Sequence, residues 1–113
     1  MGIDTTFQPK TATYAVDNTG AVTIDGRAAG VTSWRIRAVG SAASYVKWAP
    51  GGGAAPSAAV APALGAPQQN TIGVNLVQTV YVEGIGAFLQ FIGSSVLATG
   101  GVEITGGQGG CGG

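Results

Sequence analysis

The chain is divided into short runs of β-branched and aromatic residues, and turn-forming residues separate each run from the next. Residues 17–20 read Asp-Asn-Thr-Gly, for example, and follow a run that ends at Val16. No segment repeats apolar residues at the three- and four-residue spacing of an amphipathic helix. About eight runs at spacings of roughly 8–12 residues are typical of a small sandwich or barrel. We therefore predict one all-β domain, a jelly-roll-like β-sandwich of about eight short antiparallel strands.

The alternation within these runs predicts which side chains face the core. Trp34, Ile36 and Ala38 share one face of their strand, and Arg35 and Arg37 share the other. The same argument adds to the core Val46, Trp48, Val80, Val82, Val102 and Ile104.

Turn chemistry predicts how some neighbouring strands are connected. Asp25-Gly26 is a two-residue hairpin signal, because both residue types tolerate a positive φ. A Gly-Ser-Ala-Ala connection separates the run at 34–39 from the run at 44–48. We expect these last two runs to form an antiparallel pair within one sheet.

Three segments stand outside the regular strand pattern. We expect residues 1–10 to form an extended arm, whose Phe7 and Pro9 either cap the chain's own sandwich or reach a neighbour. The sandwich then spans residues 11–105 and carries a Pro/Ala/Gly loop at 49–67. Val60 and Leu64 either pin this loop to a surface such as a partner subunit, or the loop is a flexible insertion. The Gly-rich tail at 106–113 predicts no regular structure unless other residues clamp it.

Charge and residue usage exclude several classes of function. The 113 residues include five basic and five acidic side chains, no histidine and one cysteine. A neutral chain with few cations does not suit binding to nucleic acid, which needs many Lys and Arg residues. No apolar stretch approaches the ~18 residues that a membrane span requires. Cys111 alone forms neither an internal disulfide nor a metal cluster, so we expect no metal and no cofactor.

The carboxylates suggest only one catalytic alternative. Glu83 and Glu103 lie in different predicted strands and would resemble a glycosidase pair if they met across a sheet. The other carboxylates are scattered in turns and in the arm. We expect no catalytic residues and no enzymatic activity.

A cationic patch is the most informative polar feature. Arg35, Arg37 and Lys47 are predicted on adjacent strands, with Tyr45 beside Lys47. Arg and Tyr are enriched at protein interfaces, so the patch is a candidate docking surface for an acidic partner. The alternative is a solvated sheet face whose charges protect an edge.

Several segments together resemble small virion proteins of tailed bacteriophages. The first is Thr-Thr-Phe-Gln-Pro at 5–9, and the second is Arg-Ile-Arg-Ala-Val-Gly-Ser-Ala-Ala-Ser-Tyr-Val-Lys-Trp-Ala at 35–49. The segments at 82–92 and 102–109 resemble the C-terminal strands and the Gly-rich end of such proteins. The likeness covers most of the chain, while the loop at 49–67 and Cys111 depart from it.

The resemblance implies a capsid decoration or cement protein. Such a protein is made in the host bacterial cytoplasm, lies on the capsid surface of the virion and staples neighbouring major capsid proteins. A homo-oligomer, either a dimer or a trimer, is implied as well. The alternative within the particle is a collar, tail or fibre component that binds a host surface glycan, with stacking faces from Trp34, Trp48, Tyr45 and Tyr81.

Overall fold

The computed structural model describes residues 6–39, 42–76, 78–96 and 101–110. The first five residues of the expected arm and Cys111 lie outside the described residues. Within them the regular structure consists of β-strands, and the runs seen in the sequence correspond to β1 Gln8–Val16, β2 Val22–Asp25, β3 Ser33–Ala38, β4 Ser44–Pro50, β5 Thr71–Val74, β6 Thr79–Glu83, β7 Phe88–Gly93 and β8 Val102–Gln108.

The strands form two four-stranded sheets that face each other. The first sheet has the order β1-β8-β3-β6, and the second has the order β2-β7-β4-β5. All pairings are antiparallel. This interleaving of odd and even strands is the arrangement of a jelly roll, so the predicted fold class is confirmed. The described part of the chain has no helix of the length and hydropathy needed to cross a membrane.

The space between the sheets is filled by the side chains that the alternation assigned to it. Trp34 and Ile36 from β3 are completely buried, as is Val46 from β4. Trp34 meets Phe91 of the opposite sheet in an edge-to-face contact with a ring-centroid distance of 5.0 Å. Its indole Nε1 donates a 2.7 Å hydrogen bond to the carbonyl oxygen of Gly86. The core is therefore centred on one aromatic pair that joins the two sheets.

Both predicted connections between neighbouring strands are wrong. β2 pairs with β7, and β3 pairs with β6 and β8, so Asp25-Gly26 does not close a hairpin. Likewise β3 and β4 belong to different sheets, and the chain crosses the sandwich between them. In the turn after β2, the N–H of Gly26 donates instead to the carbonyl oxygen of Ala87, just before β7. A turn-forming sequence marks where a strand ends but does not determine which strand it pairs with.

The turn after β2 contains an ion pair that makes stability depend on pH. Asp25 accepts hydrogen bonds from the Arg27 side chain and backbone N–H, which lowers the pKa of this carboxyl to about 2. Because the pKa is lower in the folded state, its stabilising effect is present above the unfolded value and is lost as the pH falls through about 2. We expect the melting temperature of the wild type to fall between about pH 4 and about pH 2, and that of Asp25→Asn to fall less steeply. Equal slopes for the two proteins would contradict this assignment.

The two ends of the described chain are more ordered than the sequence predicts. β1 begins at Gln8, inside the expected arm, and β8 continues to Gln108, inside the expected tail. β8 is clamped between β1 and β3, which provides the backbone hydrogen-bond partners that a Gly-rich segment needs. A Cβ at Gly107 would collide with the carbonyl oxygen of Gln8 and with the Phe7 ring. Glycine at this position therefore allows the arm to pack on the sheet.

The segment between β4 and β5 lies on the outer face of the second sheet. The Gln90 side chain of β7 is almost completely buried, and its Nε2 lies 3.0 Å from the carbonyl oxygens of Pro50, Gly53 and Ala54. Further along, the buried Ala59 donates its N–H to the carbonyl oxygen of Gly93. These bonds hold residues 50–59 on the chain's own sheet, so this stretch is not a free insertion.

Candidate functional site

The outer face of the first sheet carries two adjacent rows of mostly polar side chains. The register of the strands places Thr13, Thr105, Arg35 and Tyr81 opposite one another across β1, β8, β3 and β6. One step further along the strands, the second row consists of Ala15, Glu103, Arg37 and Thr79. Seven of these eight side chains, all except Ala15, line one depression of about 260 Å³, called the groove below. Its lining comes from all four strands of the sheet.

Arg35 is oriented by stacking on the arm. Its guanidinium carbon lies 5.0 Å from the centroid of the Phe7 ring, and the Phe7 and Tyr81 rings are 5.5 Å apart. No described residue accepts a hydrogen bond from the Arg35 side chain. The cation–π contact thus fixes the side chain without using its N–H donors. Phe7 therefore packs on its own sheet, which is the first of the two roles that the sequence left open for the arm.

Arg37 has only a weak ionic partner in the groove. Its Nη1 lies 3.9 Å from the Oε1 of Glu103, and the two side chains are 59% and 42% exposed. An ion pair at that distance and exposure contributes little to stability. Two guanidinium groups and one carboxylate leave the groove lining with a net charge of +1. The groove therefore favours a ligand that carries negative charge.

The remaining predicted interface residues lie on the opposite side of the molecule or outside the groove. Tyr45 and Lys47 belong to β4 and lie on the outer face of the second sheet, so they do not form one patch with the arginines. Pro9 is exposed on β1 and does not line the groove. The prediction of a single patch is wrong, because the chain crosses to the second sheet after β3.

Val60 and Leu64 belong to the loop that joins β4 to β5, two strands of the second sheet. Both side chains are exposed, Val60 to 50% and Leu64 to 106% of its reference area. They do not pin the loop to its own sheet, since Gln90 and Ala59 make those contacts. The predicted interface residues are thus divided between two opposite faces of the sandwich.

The aromatic residues considered for glycan stacking are only partly accessible. Trp34 is fully buried, and Trp48 is partly buried against the core. Tyr81 is 37% exposed at the groove. Of these aromatic residues, only Tyr81 has a ring beside the groove.

The carboxylates do not assemble into a catalytic pair. Glu83 lies opposite Ser33 and Glu103 lies opposite Arg37. The two β3 positions are four residues apart, which is about 13 Å along a strand. Paired carboxylates in glycosidases lie within about 9.5 Å of each other. In the described ranges, no group of three or more His, Cys, Asp or Glu side chains is arranged to hold a metal ion.

The residues that the sequence did not single out are the groove threonines and Gln90. Thr13 and Thr105 lie far apart in the chain, yet their hydroxyl oxygens are 2.7 Å apart. Only the pairing of β1 with β8 brings them together, and no local pattern predicts that pairing. Gln90 does interrupt the run Phe-Leu-Gln-Phe-Ile, and a lone amide in an apolar strand is a signal for a buried hydrogen bond.

Comparison with protein-family models, curated proteins and solved structures finds no match for this chain. Its function must therefore be inferred from the fold, the groove and the exposed loop.

Proposed function

We propose that this chain is a structural virion protein of a tailed bacteriophage, which binds the outer capsid surface and staples neighbouring major capsid proteins. The proposed role involves no reaction chemistry. It is supported by a neutral, histidine-free sequence and by the jelly-roll fold, which is common among viral structural proteins. The resemblance of the sequence to small virion proteins points the same way.

The observation that carries this proposal is the exposed leucine at the tip of the loop. Ala63 and Ala66 exchange two backbone hydrogen bonds, which leaves Leu64 and Gly65 as the central residues of a tight turn. Gly65 has a φ of +77°, as the third residue of a type II turn requires. The turn therefore holds the Leu64 side chain in water, where it does not contribute to the stability of the isolated fold. A large apolar side chain presented in this way is suited to insertion into a partner's pocket.

The surroundings of Leu64 suit contact with another protein. The sequence from Trp48 to Val82 has no charged residue, so no ionised group of this segment has to be desolvated on binding. Many copies on a symmetric lattice act together, and a small apolar contact per copy is then sufficient. We assign the loop side of the sandwich to the capsid and the groove side to the exterior of the particle.

The test is binding to expanded empty shells of the phage that encodes the chain. We expect the purified protein to co-sediment with the shells and to raise their melting temperature. Leu64→Ser should weaken binding roughly tenfold or more, because an anchoring leucine contributes about 1.5–3 kcal/mol when it is fully buried. The matched control is Leu76→Ser, since Leu76 is 49% exposed and lies outside the loop.

Two results would contradict the docking proposal. The first is an absence of binding to shells, and the second is an equal loss of binding in the two leucine variants. The copy number of the chain in intact particles separates the proposal from its alternative. Hundreds of copies fit lattice cement, whereas a dozen or fewer fit a collar, tail or fibre component. Sedimentation of the free protein distinguishes the dimer or trimer that the resemblance implies from a monomer.

The groove favours host-glycan binding as a second candidate function. Tyr81 offers a partly exposed ring beside hydroxyl and guanidinium groups, a combination suited to a sugar. Because Trp34 is buried, such binding would have to use the groove rather than the two tryptophans considered from the sequence.

A further inference from the structure

We propose that the groove on the first sheet binds an acidic sugar unit of the uronic or sialic acid type, with the sugar carboxylate between Arg35 and Arg37. This proposal does not depend on capsid docking, because the groove lies on the first sheet, whereas Leu64 belongs to the loop between two strands of the second sheet. It names both the chemical class of the ligand and the two side chains that recognise its charge.

The two arginines are placed to receive one carboxylate. They are two residues apart on the same face of β3, which separates their backbones by roughly 7 Å. Among the residues that the structure describes, these two like charges have only Glu103 as an ionic partner, at 3.9 Å from Arg37. A ligand carboxylate would neutralise the excess positive charge and accept charge-assisted hydrogen bonds from the unused Arg35 donors.

The other groove residues favour a sugar over an acidic peptide. The exposed hydroxyls of Thr13 and Thr79 both donate and accept hydrogen bonds, as sugar hydroxyls require, while the buried Thr105 hydroxyl lies 2.7 Å from that of Thr13. Glu103 accepts hydrogen bonds from sugar hydroxyls, whereas it repels a second carboxylate of an acidic peptide. Tyr81 provides a ring edge against which the apolar face of a pyranose packs.

The dimensions of the groove limit the size of the ligand. Its volume of about 260 Å³ is slightly below the range of ~300–1,000 Å³ for sites that enclose drug-sized molecules. Such a volume suits a single sugar unit, and a longer chain would extend over the sheet. The open side lies along the outer face of the sheet, so the sugar can belong to a polymer.

The test is calorimetric titration at low salt with three kinds of probe. The first comprises short galacturonate, glucuronate and sialic-acid oligosaccharides, the second is galactotriose, which has no charge, and the third is hexa-aspartate. We expect at least one acidic oligosaccharide to bind and galactotriose to bind at least tenfold more weakly. Arg35→Gln and Arg37→Gln should each weaken that binding roughly tenfold or more.

The matched control is Lys47→Gln, which removes one positive charge from the opposite face of the sandwich. Its affinity for the acidic oligosaccharide should equal that of the wild type. The proposal is wrong if none of the acidic oligosaccharides binds, or if hexa-aspartate binds as tightly as the best of them. It is also wrong if Lys47→Gln lowers the affinity for the acidic oligosaccharide as much as the arginine variants do. Thermal unfolding of each variant verifies that the fold is intact.

The groove and docking proposals can fail separately. The double variant Arg35→Gln, Arg37→Gln should bind empty shells like the wild type, and Leu64→Ser should bind acidic oligosaccharides like the wild type. Loss of shell binding in the arginine variant would assign the groove to the capsid interface and overturn the sugar site.

Discussion

Replacing Trp34 with alanine is expected to lower the free energy of unfolding by about 3–5 kcal/mol, as is usual for a buried aromatic residue. The substitution removes the edge-to-face contact with Phe91 and leaves a cavity between the two sheets. It also leaves the carbonyl oxygen of Gly86 without its indole donor. A domain of this size is stable by only about 5–15 kcal/mol, so the variant is expected to be partly unfolded at moderate temperature.

Urea unfolding followed by circular dichroism measures this effect, and Trp34→Phe is the matched control. The phenylalanine variant keeps a ring against Phe91 and loses the hydrogen bond to Gly86, so it should be destabilised less than the alanine variant. A loss below about 1 kcal/mol in Trp34→Ala would contradict the central position of this residue in the core.

Replacing Gln90 with glutamate is expected to destabilise the protein by about 3–5 kcal/mol at neutral pH, as an unpaired buried charge does. The change is nearly isosteric, but it substitutes a carboxylate for the amide whose Nε2 lies 3.0 Å from three carbonyl oxygens. The carboxylate repels the three carbonyl oxygens that the amide attracted, so the segment from Pro50 to Ala54 loses its attachment to β7. Amide hydrogen exchange in residues 51–59 should therefore accelerate more than exchange in the first sheet.

Gln78→Glu is the control for this second substitution. The Gln78 side chain is exposed, and its Oε1 accepts a 2.9 Å hydrogen bond from the N–H of Asn75. A carboxylate accepts the same bond, so this variant should unfold like the wild type. Equal destabilisation by the two substitutions would contradict the prediction, because it would show that the burial of Gln90 and its contacts with the loop do not control stability.

The strands and their buried faces were predictable because both depend on local alternation. The pattern in residues 34–38 places three side chains in the core, and the structure buries all three. Val46, Val102 and Ile104 are buried as well, while Trp48, Val80 and Val82 pack against the core from its margin. A period of two along a strand is a consequence of backbone geometry and does not depend on the partner strand.

Strand pairing was not predictable from local sequence. Each strand of the first sheet has neighbours that are distant in the chain, and the turn residues contain no information about them. The Gly-rich segment at 106–108 shows the same effect, because two flanking strands impose an extended conformation on residues that have low strand propensity. Contacts between strands that are distant in the chain therefore determine both the pairing in the first sheet and the extended conformation of residues 106–108.

The candidate site follows the same division between local and long-range information. Alternation predicted that Arg35 and Arg37 share one face of β3. It also predicted that Trp34 lies on the other face. Their neighbours Thr13, Thr105 and Tyr81 come from three other strands, so the groove exists only in the assembled sheet. Tyr45 and Lys47 were placed wrongly because the crossing after β3 leaves no mark in the sequence.

The edge position of β1 affects how the protein folds while it is being synthesised. Of the described strands, β8 alone pairs with β1, so β1 remains unpaired until residues 102–108 have left the ribosome. During that interval the nascent chain exposes a strand capable of pairing with other nascent chains. Pro9, Lys10 and the threonines of β1 oppose such aggregation, because prolines, charges and polar side chains discourage edge-to-edge association.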